Sequence, residues 1–220
     1  MSATDDQRRT VTALLRTHGR TYAEEAGIGL RDTPQPLYQL LVLSHLLSAR
    51  IRASVAVAAA RCLFAAGMKD ARRMAEASRQ RRVDALGEGG YRRYDERTAT
   101  QLGEEAEQLL ERHGGDLRRM RRAADGDADR LAGLLRELPG IGPAGADIFL
   151  REVQGVWPEV FPRIDGKALQ GAQRLGLPGD PGPLARLVRR QDALAFAAAL
   201  VRAALEKEVA EEVRAAAAGS

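Results

Sequence analysis

The chain has 220 residues, of which 45% are hydrophobic and 29% are charged, a composition typical of a soluble globular protein with one sizeable core or two small lobes. Its single cysteine excludes an intramolecular disulfide and a four-cysteine iron–sulfur cluster. The net charge of +4 is a small excess of 34 basic over 30 acidic side chains, so it permits a polyanionic partner without indicating one.

Neither a targeting segment nor a membrane span is expected. Residues 1–6 lack a basic stretch followed by an apolar one, so no signal peptide is predicted. The most apolar region, 37–64, is interrupted by His45, Arg50 and Arg61, which argues against a membrane span. We therefore expect a cytoplasmic protein and interpret this region as helices of a core.

Apolar residues recur at helical spacing along most of the chain, and no stretch shows the alternation of a strand. The first predicted helix covers 5–27, and a linker rich in glycine and proline follows over 27–36. Two strongly apolar helices, 37–47 and 53–66, are expected to be buried. The other predicted helices span 69–77, 81–86, 96–113, 117–123, 129–137, 144–154, 167–175, 184–190 and 193–213. The chain is therefore predicted to be all-α.

A glycine-rich turn separates two of these predicted helices. Residues 138–147 read Leu-Pro-Gly-Ile-Gly-Pro-Ala-Gly-Ala-Asp. Pro139 and the glycines end the first helix and allow a tight backbone turn. The glycines also let main-chain N–H groups approach an anion at the N-terminus of the second helix, where the helix dipole is positive. The stretch fits an ordinary αα-turn or a phosphate-binding hairpin.

Five segments resemble motifs of one family. The turn is similar to the L-P-G-V/I-G hairpin of helix–hairpin–helix DNA glycosylases. Residues 160–176, Val-Phe-Pro-Arg-Ile-Asp-Gly-Lys-Ala-Leu-Gln-Gly-Ala-Gln-Arg-Leu-Gly, resemble the family's V-D-T/G-H/N-x-x-R segment. Residues 40–50, which end in Leu-Leu-Ser-Ala-Arg, resemble its L-L-S-A-Q helix, and 90–94 and 111–116 resemble its G-x-G-Y-Y and H-G-G blocks. These segments follow one another along the chain in the family's order. Together they resemble the endonuclease III and adenine glycosylase superfamily.

The resemblance implies the all-α, two-lobed fold of these glycosylases. A six-helix domain would cover 36–159 and end in the hairpin, and a second helical lobe would combine 1–35 with 160–220. The implied partner is double-stranded DNA that contains a damaged or modified base, bound by a monomer. The iron–sulfur cluster of many relatives is not expected, because the chain has one cysteine, and no other cofactor is predicted. The hairpin backbone of such proteins can hold a monovalent cation.

The resemblance also assigns catalytic candidates. Asp165 falls on the family's catalytic aspartate, and a carboxylate stabilises the positive charge that develops on deoxyribose as the base departs. Its alternative role is a helix N-cap. Ala144 stands where strand-nicking relatives carry a lysine that forms a Schiff base, and alanine cannot attack, so a monofunctional enzyme is predicted. Lys167 is an unorthodox candidate amine, with a phosphate contact or a solvated helix residue as its alternatives.

Further candidates surround the predicted pocket. His45 falls on the glutamate that protonates the departing base in adenine glycosylases, and imidazole suits that task near neutral pH. Its alternative is a core histidine bonded to a backbone carbonyl. Arg50 replaces the glutamine that fills the gap left by a flipped base, and its alternative is a surface arginine. Tyr94 is predicted to line the pocket, and its alternative is packing in the core. The remaining predicted DNA contacts are Leu138, Gly140, Ile141, Gly142 and Ala144.

The sequence therefore predicts a monofunctional DNA glycosylase that flips a damaged or modified base and hydrolyses its N-glycosidic bond. Aromatic residues make up only 4% of the chain, which favours a deaminated or oxidised base over a cationic alkylated one. Two alternatives stay open. One is a DNA-binding protein of the same fold that has lost catalysis, and the other is a bifunctional glycosylase and AP lyase that uses Lys167.

Overall fold

The computed structural model describes residues 3–219, and within that range the regular elements are helices, with no strand. The all-α prediction is therefore confirmed. The α-helices in chain order are α1 (Ala3–His18), α2 (Tyr22–Glu25), α3 (Pro34–Leu47), α4 (Ala53–Ala65), α5 (Ala71–Glu76), α6 (Arg79–Glu88), α7 (Asp95–His113), α8 (Leu117–Ala123), α9 (Ala128–Arg136), α10 (Pro143–Val153), α11 (Gly166–Arg174), α12 (Pro181–Ala185), α13 (Ala193–Leu205) and α14 (Lys207–Ala218). Over the described range, none of them is long and apolar enough to cross a membrane.

The helices form two compact units. The central unit is Ala23–Val160, and the terminal unit joins the described residues up to Tyr22 with those from Phe161 onward. The interval 36–159, predicted to be the six-helix domain, lies inside the central unit. Since α10 ends only seven residues before Val160, the hairpin is the last large feature of that unit.

The core of the central unit is built around α3. From Leu37 to Leu46 every side chain of this helix except Gln39 is buried. Helices α4, α8 and α10 pack against it, which explains why its sequence is apolar on nearly all sides. Each leucine buried there contributes on the order of 2 kcal/mol through removal of apolar surface from water.

Helix α7 is amphipathic and packs against α5, α6 and α8. It ends at Gly114, which has a left-handed backbone with φ of +61° and caps the helix by donating its N–H to Leu110. At Gly103 a Cβ would lie 2.5 Å from Nη2 of Arg82, so only glycine lets that guanidinium lie across α7. Arg82 in turn donates hydrogen bonds to the carbonyls of Met74 and Ala77, at the end of α5.

The terminal unit is organised around the helix α13, which is apolar except for Arg202 and packs against α11 and α1. At Gly171 on α11 a Cβ would lie 1.8 Å from the carbonyl oxygen of Leu200, so the two helices cross with their backbones in contact. Helix α1 also packs along α14, where His18 Nε2 lies 3.2 Å from an oxygen of Glu212.

Several predicted helix boundaries were wrong. The helix predicted over 37–47 begins at Pro34, inside the predicted linker, because proline fits the first turn of a helix. The helix predicted over 5–27 ends at His18, because Gly19 closes the last turn by donating its N–H to Leu15. The helix predicted over 184–190 is α12, which starts earlier because proline fits the first turn of a helix. The helix predicted over 193–213 is divided by Glu206, whose backbone is extended, into α13 and α14.

Candidate functional site

The predicted hairpin joins α9 to α10 in the central unit. Leu138 donates its N–H to Leu135, and Ile141 donates to Leu138, so two successive turns close the connection. The Leu138 and Ile141 side chains are 3% and 4% exposed, and they anchor the hairpin in the core. Gly142 is half-buried and Ala144 is exposed. Of the predicted hairpin contacts, Leu138 and Ile141 therefore offer only backbone atoms to a ligand.

Helix α10 begins at the hairpin without a capping side chain. Gly142 is its N-cap, and Pro143 occupies the first turn, where its missing N–H costs nothing. The N–H of Ala146 donates to the carbonyl of Gly142. The main-chain N–H groups in the first turn of α10 can therefore donate hydrogen bonds to a ligand, at the positive end of the helix dipole. Helix N-termini of this kind bind phosphate.

Gly140 brings the hairpin against α3. Its φ of +81° lies in the left-handed region that favours glycine. A Cβ at this position would lie 2.1 Å from Cε1 and 2.5 Å from Nε2 of His45, so the space is taken by the imidazole. Glycine is therefore required at position 140 both by the backbone conformation and by the close approach of His45.

His45 forms a buried pair with Glu105 on α7. Nδ1 of His45 lies 2.8 Å from Oε2 of Glu105, and the two residues are 5% and 0% exposed. Burial raises the pKa of the Glu105 carboxyl, and the hydrogen bond and charge of His45 act in the opposite direction. The partner of the imidazole is thus a carboxylate, not the backbone carbonyl that the sequence left open as an alternative.

A cavity of about 280 Å³ opens beside this pair. It brings together four predicted residues from three motifs: His45 on α3 and Arg50 just after it, Tyr94 at the start of α7, and Gly140 in the hairpin. The three motifs are far apart in the sequence, so their meeting in one cavity is a result of the tertiary fold. Arg50 is exposed and Tyr94 is partly exposed, and both remain accessible to a ligand.

The same cavity is lined by residues that sequence reasoning missed. Thr98, Arg97 and Gln101 come from the first turns of α7, and Tyr91 precedes that helix. The hydroxyl groups of Tyr91 and Thr98 lie 3.1 Å apart. These side chains offer hydroxyl, amide and guanidinium hydrogen-bond donors, which suit a polar ligand with acceptor atoms.

Glu105 could have been found from the sequence. Thr98, Leu102, Glu105 and Leu109 follow one another at helical spacing, and all four are buried on one face of α7. A carboxylate within an otherwise apolar face is costly to bury without a partner. An acidic residue on the buried face of a predicted helix therefore indicates a partnered carboxylate, although the sequence does not identify His45 as the partner.

Asp165 lies in the terminal unit, where it caps α11. It is 8% exposed, and its Oδ1 accepts a hydrogen bond of 2.9 Å from the N–H of Ala168. The N-cap role is thus observed, and the catalytic role stays a prediction. Lys167 is exposed on the same helix, and its ammonium donates to Oε1 of Gln170 at 2.9 Å. Its role as an amine nucleophile also stays a prediction.

The described residues could hold a metal cluster only where several donor side chains meet. Within the described residues no three His, Cys, Asp or Glu side chains form a group that could hold a metal ion. Cys62, the one cysteine of the sequence, is half-buried on α4. A single thiol does not fit an iron–sulfur cluster, which requires four such ligands.

Comparison with known proteins supports the fold assignment. No protein-family model matches the chain, and no curated protein matches it. Two solved structures of endonuclease III with DNA are similar over 92% of this chain and 86% of theirs. One is a trapped covalent intermediate in an estranged-adenine complex, with a TM-score of 0.55 and 14% identity. The other is a non-covalent complex, with a TM-score of 0.56 and 15% identity. The chain therefore has the helical fold of endonuclease III, which its hairpin and flanking motifs predicted.

Proposed function

We propose that this protein is a monofunctional DNA glycosylase that flips a damaged or modified base from double-stranded DNA and hydrolyses its N-glycosidic bond. One observation carries the proposal: His45, Arg50 and Tyr94 line a single cavity against Gly140 of the hairpin. Their motifs were recognised separately, and the fold that joins them is one whose solved relatives are complexes with DNA.

The hairpin is proposed to bind the DNA backbone. Phosphate contacts position a protein on DNA without reading its sequence. The uncapped first turn of α10 supplies main-chain donors for a phosphate, and Ala144 on that turn is exposed. Arg50, beside the cavity, can donate hydrogen bonds to the bases that face the gap when a nucleotide leaves the stack.

The cavity is proposed to receive the flipped base. Its volume of about 280 Å³ lies near the lower end of the range for ligand pockets, as expected for a site that takes one small ring system. Tyr94 offers a ring for stacking, and Thr98 and Gln101 offer hydrogen-bonding groups for the edge of a base.

The reaction is proposed to be hydrolysis without a covalent enzyme intermediate. The bond between C1′ of deoxyribose and the base nitrogen breaks, and its electron pair leaves with the base. Asp165 stabilises the positive charge that develops on the sugar. His45 donates a proton to the base, and a water molecule adds to C1′ and loses its own proton. The products are a free base and an abasic site.

The two alternatives have specific grounds. Loss of catalysis is motivated by the lack of both the hairpin lysine, where Ala144 stands, and the four cysteines of a cluster, but the presence of Asp165 counts against it. Lyase activity through Lys167 is disfavoured, because that ammonium is exposed and bonded to Gln170. Lysine nucleophiles are activated by a desolvated pocket or a neighbouring cation.

The test measures base release from duplexes that each contain one damaged base, with hot alkali to reveal abasic sites. Asp165→Asn keeps the helix cap and removes the charge, so release should fall by about a hundredfold. Asp70→Asn is the matched control, because Asp70 caps α5 in the same way and should leave release unchanged. Strands nicked before alkali would exclude the monofunctional enzyme. Duplex binding without any release would favour the DNA-binding alternative.

A further inference from the structure

The two ring nitrogens of His45 have different surroundings. Nδ1 is bonded to the buried carboxylate of Glu105, whereas no described residue forms a hydrogen bond with Nε2. The ring also lines the cavity, together with Thr98 and Gly140. One nitrogen is therefore held by the protein core, and the other is available to a ligand.

The surroundings of Glu105 explain why the pair is held together. The carboxylate is wholly buried, and its Oε1 has no hydrogen-bond partner among the described residues. Tyr38 is an ionisable residue that interacts with this carboxyl from the core, and its hydroxyl also lacks a described partner. A buried carboxylate is stabilised only by a partner that carries a proton or a positive charge. His45 is the residue bonded to it, so Glu105 fixes the orientation of the ring and leaves Nε2 on the side of the cavity.

The cavity itself is positively charged. Arg50 and Arg97 belong to its lining, and no Asp or Glu is among the residues that line it. Like charges repel strongly where water is partly excluded, so a cationic ligand is disfavoured here. A ligand with carbonyl acceptors is favoured by the same guanidinium groups.

We propose that Glu105 is a positioning residue that holds His45 ready to protonate the departing base, and that the site consequently takes neutral modified bases in preference to cationic alkylated ones. This inference rests on the proposed glycosylase function and names its substrate class. The neutral class comprises deaminated and oxidised bases.

The chemistry of departure distinguishes the two classes. A neutral base leaves as an anion unless it receives a proton while the bond to C1′ breaks. The proton passes from Nε2 of the imidazolium to the base, the ring becomes neutral, and it regains a proton from solvent. A cationic base leaves as a neutral molecule when it takes up the bonding electrons. A cationic base needs no proton to leave, so its release is not accelerated by His45 and Glu105.

The kinetic test compares Glu105→Gln with Glu104→Gln, which removes the same charge from an exposed position next to it on α7. Release of hypoxanthine, uracil and 8-oxoguanine is measured beside release of 7-methylguanine, in single turnovers between pH 5 and pH 9. Glu105→Gln should slow release of the neutral base by about 10- to 100-fold, by analogy with carboxylates that orient metal-bound histidines. Release of 7-methylguanine should change less than about twofold, and Glu104→Gln should behave like the wild type. Equal slowing of both classes, or no slowing, overturns the proposal.

A second variant tests whether Glu105 acts through His45. His45→Gln should cause the same selective loss, and Glu105→Gln should add little in that background, because the two residues would act as one unit. Independent, additive losses would overturn the positioning role.

A spectroscopic test does not depend on activity. Nitrogen-15 NMR reports which ring nitrogen carries the proton when His45 is neutral. Glu105 should keep it on Nδ1 in the wild type, and Glu105→Leu should move it to Nε2, while His18 and His113 serve as internal controls. An unchanged tautomer would overturn the positioning role. If the wild type releases no base but the tautomer shifts, the glycosylase proposal and the neutral-base preference fall, and the positioning of His45 stands.

Discussion

The imidazole of His45 occupies the space that a Cβ at Gly140 would need, and it thereby joins the core helix α3 to the hairpin. The close approach places a titratable ring at the turn that is proposed to hold DNA. It also makes the glycine a structural requirement of the site, in addition to its part in the turn.

Replacement of this glycine should be costly. We expect Gly140→Ala to lower the free energy of unfolding by about 3 kcal/mol, because both the left-handed backbone and the clash with His45 oppose a side chain. Gly142→Ala is the control, since nothing lies within 4 Å of a Cβ at that position and its φ of −90° suits alanine. Urea unfolding measures both variants, and equal losses would contradict the argument.

A lysine at position 144 should create lyase chemistry. Ala144 is exposed on the first turn of α10, so lysine fits there without repacking. We expect Ala144→Lys to be trapped on an abasic duplex by borohydride, which reduces the Schiff base between the amine and C1′. Wild-type protein and Lys167→Ala should give no trapped product. Trapping by the wild type that disappears in Lys167→Ala would establish the lyase alternative instead.

Arg50 should contribute to binding of DNA with a vacated base position. We expect Arg50→Ala to weaken binding to an abasic-site duplex by about tenfold, the equivalent of one charged hydrogen bond of about 1.5 kcal/mol, and to affect an undamaged duplex less. Arg52→Ala removes the same charge from a nearby exposed position outside the cavity lining. If the two variants weaken binding to both duplexes alike, Arg50 acts only through its charge.

The N-cap of α8 should give a defined pH dependence of stability. Asp116 accepts three hydrogen bonds from the Arg118 guanidinium and one from its backbone N–H, and the side-chain bonds are the largest cause of its lowered pKa. A carboxyl with a lowered pKa stabilises the fold above its unfolded value and loses that contribution as the pH falls through its folded value. Asp116→Asn should therefore destabilise the fold at pH 7, and the difference from the wild type should shrink as the pH falls below about 3.9, the unfolded value for aspartate. A difference from the wild type that is constant over this range would contradict the assignment.

Local spacing was sufficient to predict most of the helices, and local chemistry to predict the hairpin. Helices α7 and α8 begin and end within a residue of their predicted bounds, because Gly114 and the flanking aspartates act on neighbouring backbone groups. The single cysteine argued against a four-cysteine cluster, and the resemblance that places Ala144 at the lysine position predicted that the hairpin lacks a nucleophile. The fold followed from motif order, and the structural likeness to endonuclease III confirms it.

The partner of His45 was decided only by tertiary packing. Glu105 lies 60 residues further along the chain, and no spacing rule connects the two. The sequence places a carboxylate on the buried face of α7. Which group forms a hydrogen bond with that carboxylate depends on how the helices pack in three dimensions. The cavity has the same origin, since its residues come from α3, α7 and the hairpin. Hydrogen bonds within a turn or a cap are set by neighbouring residues, whereas a buried charge pair exists only where two distant helices are packed together.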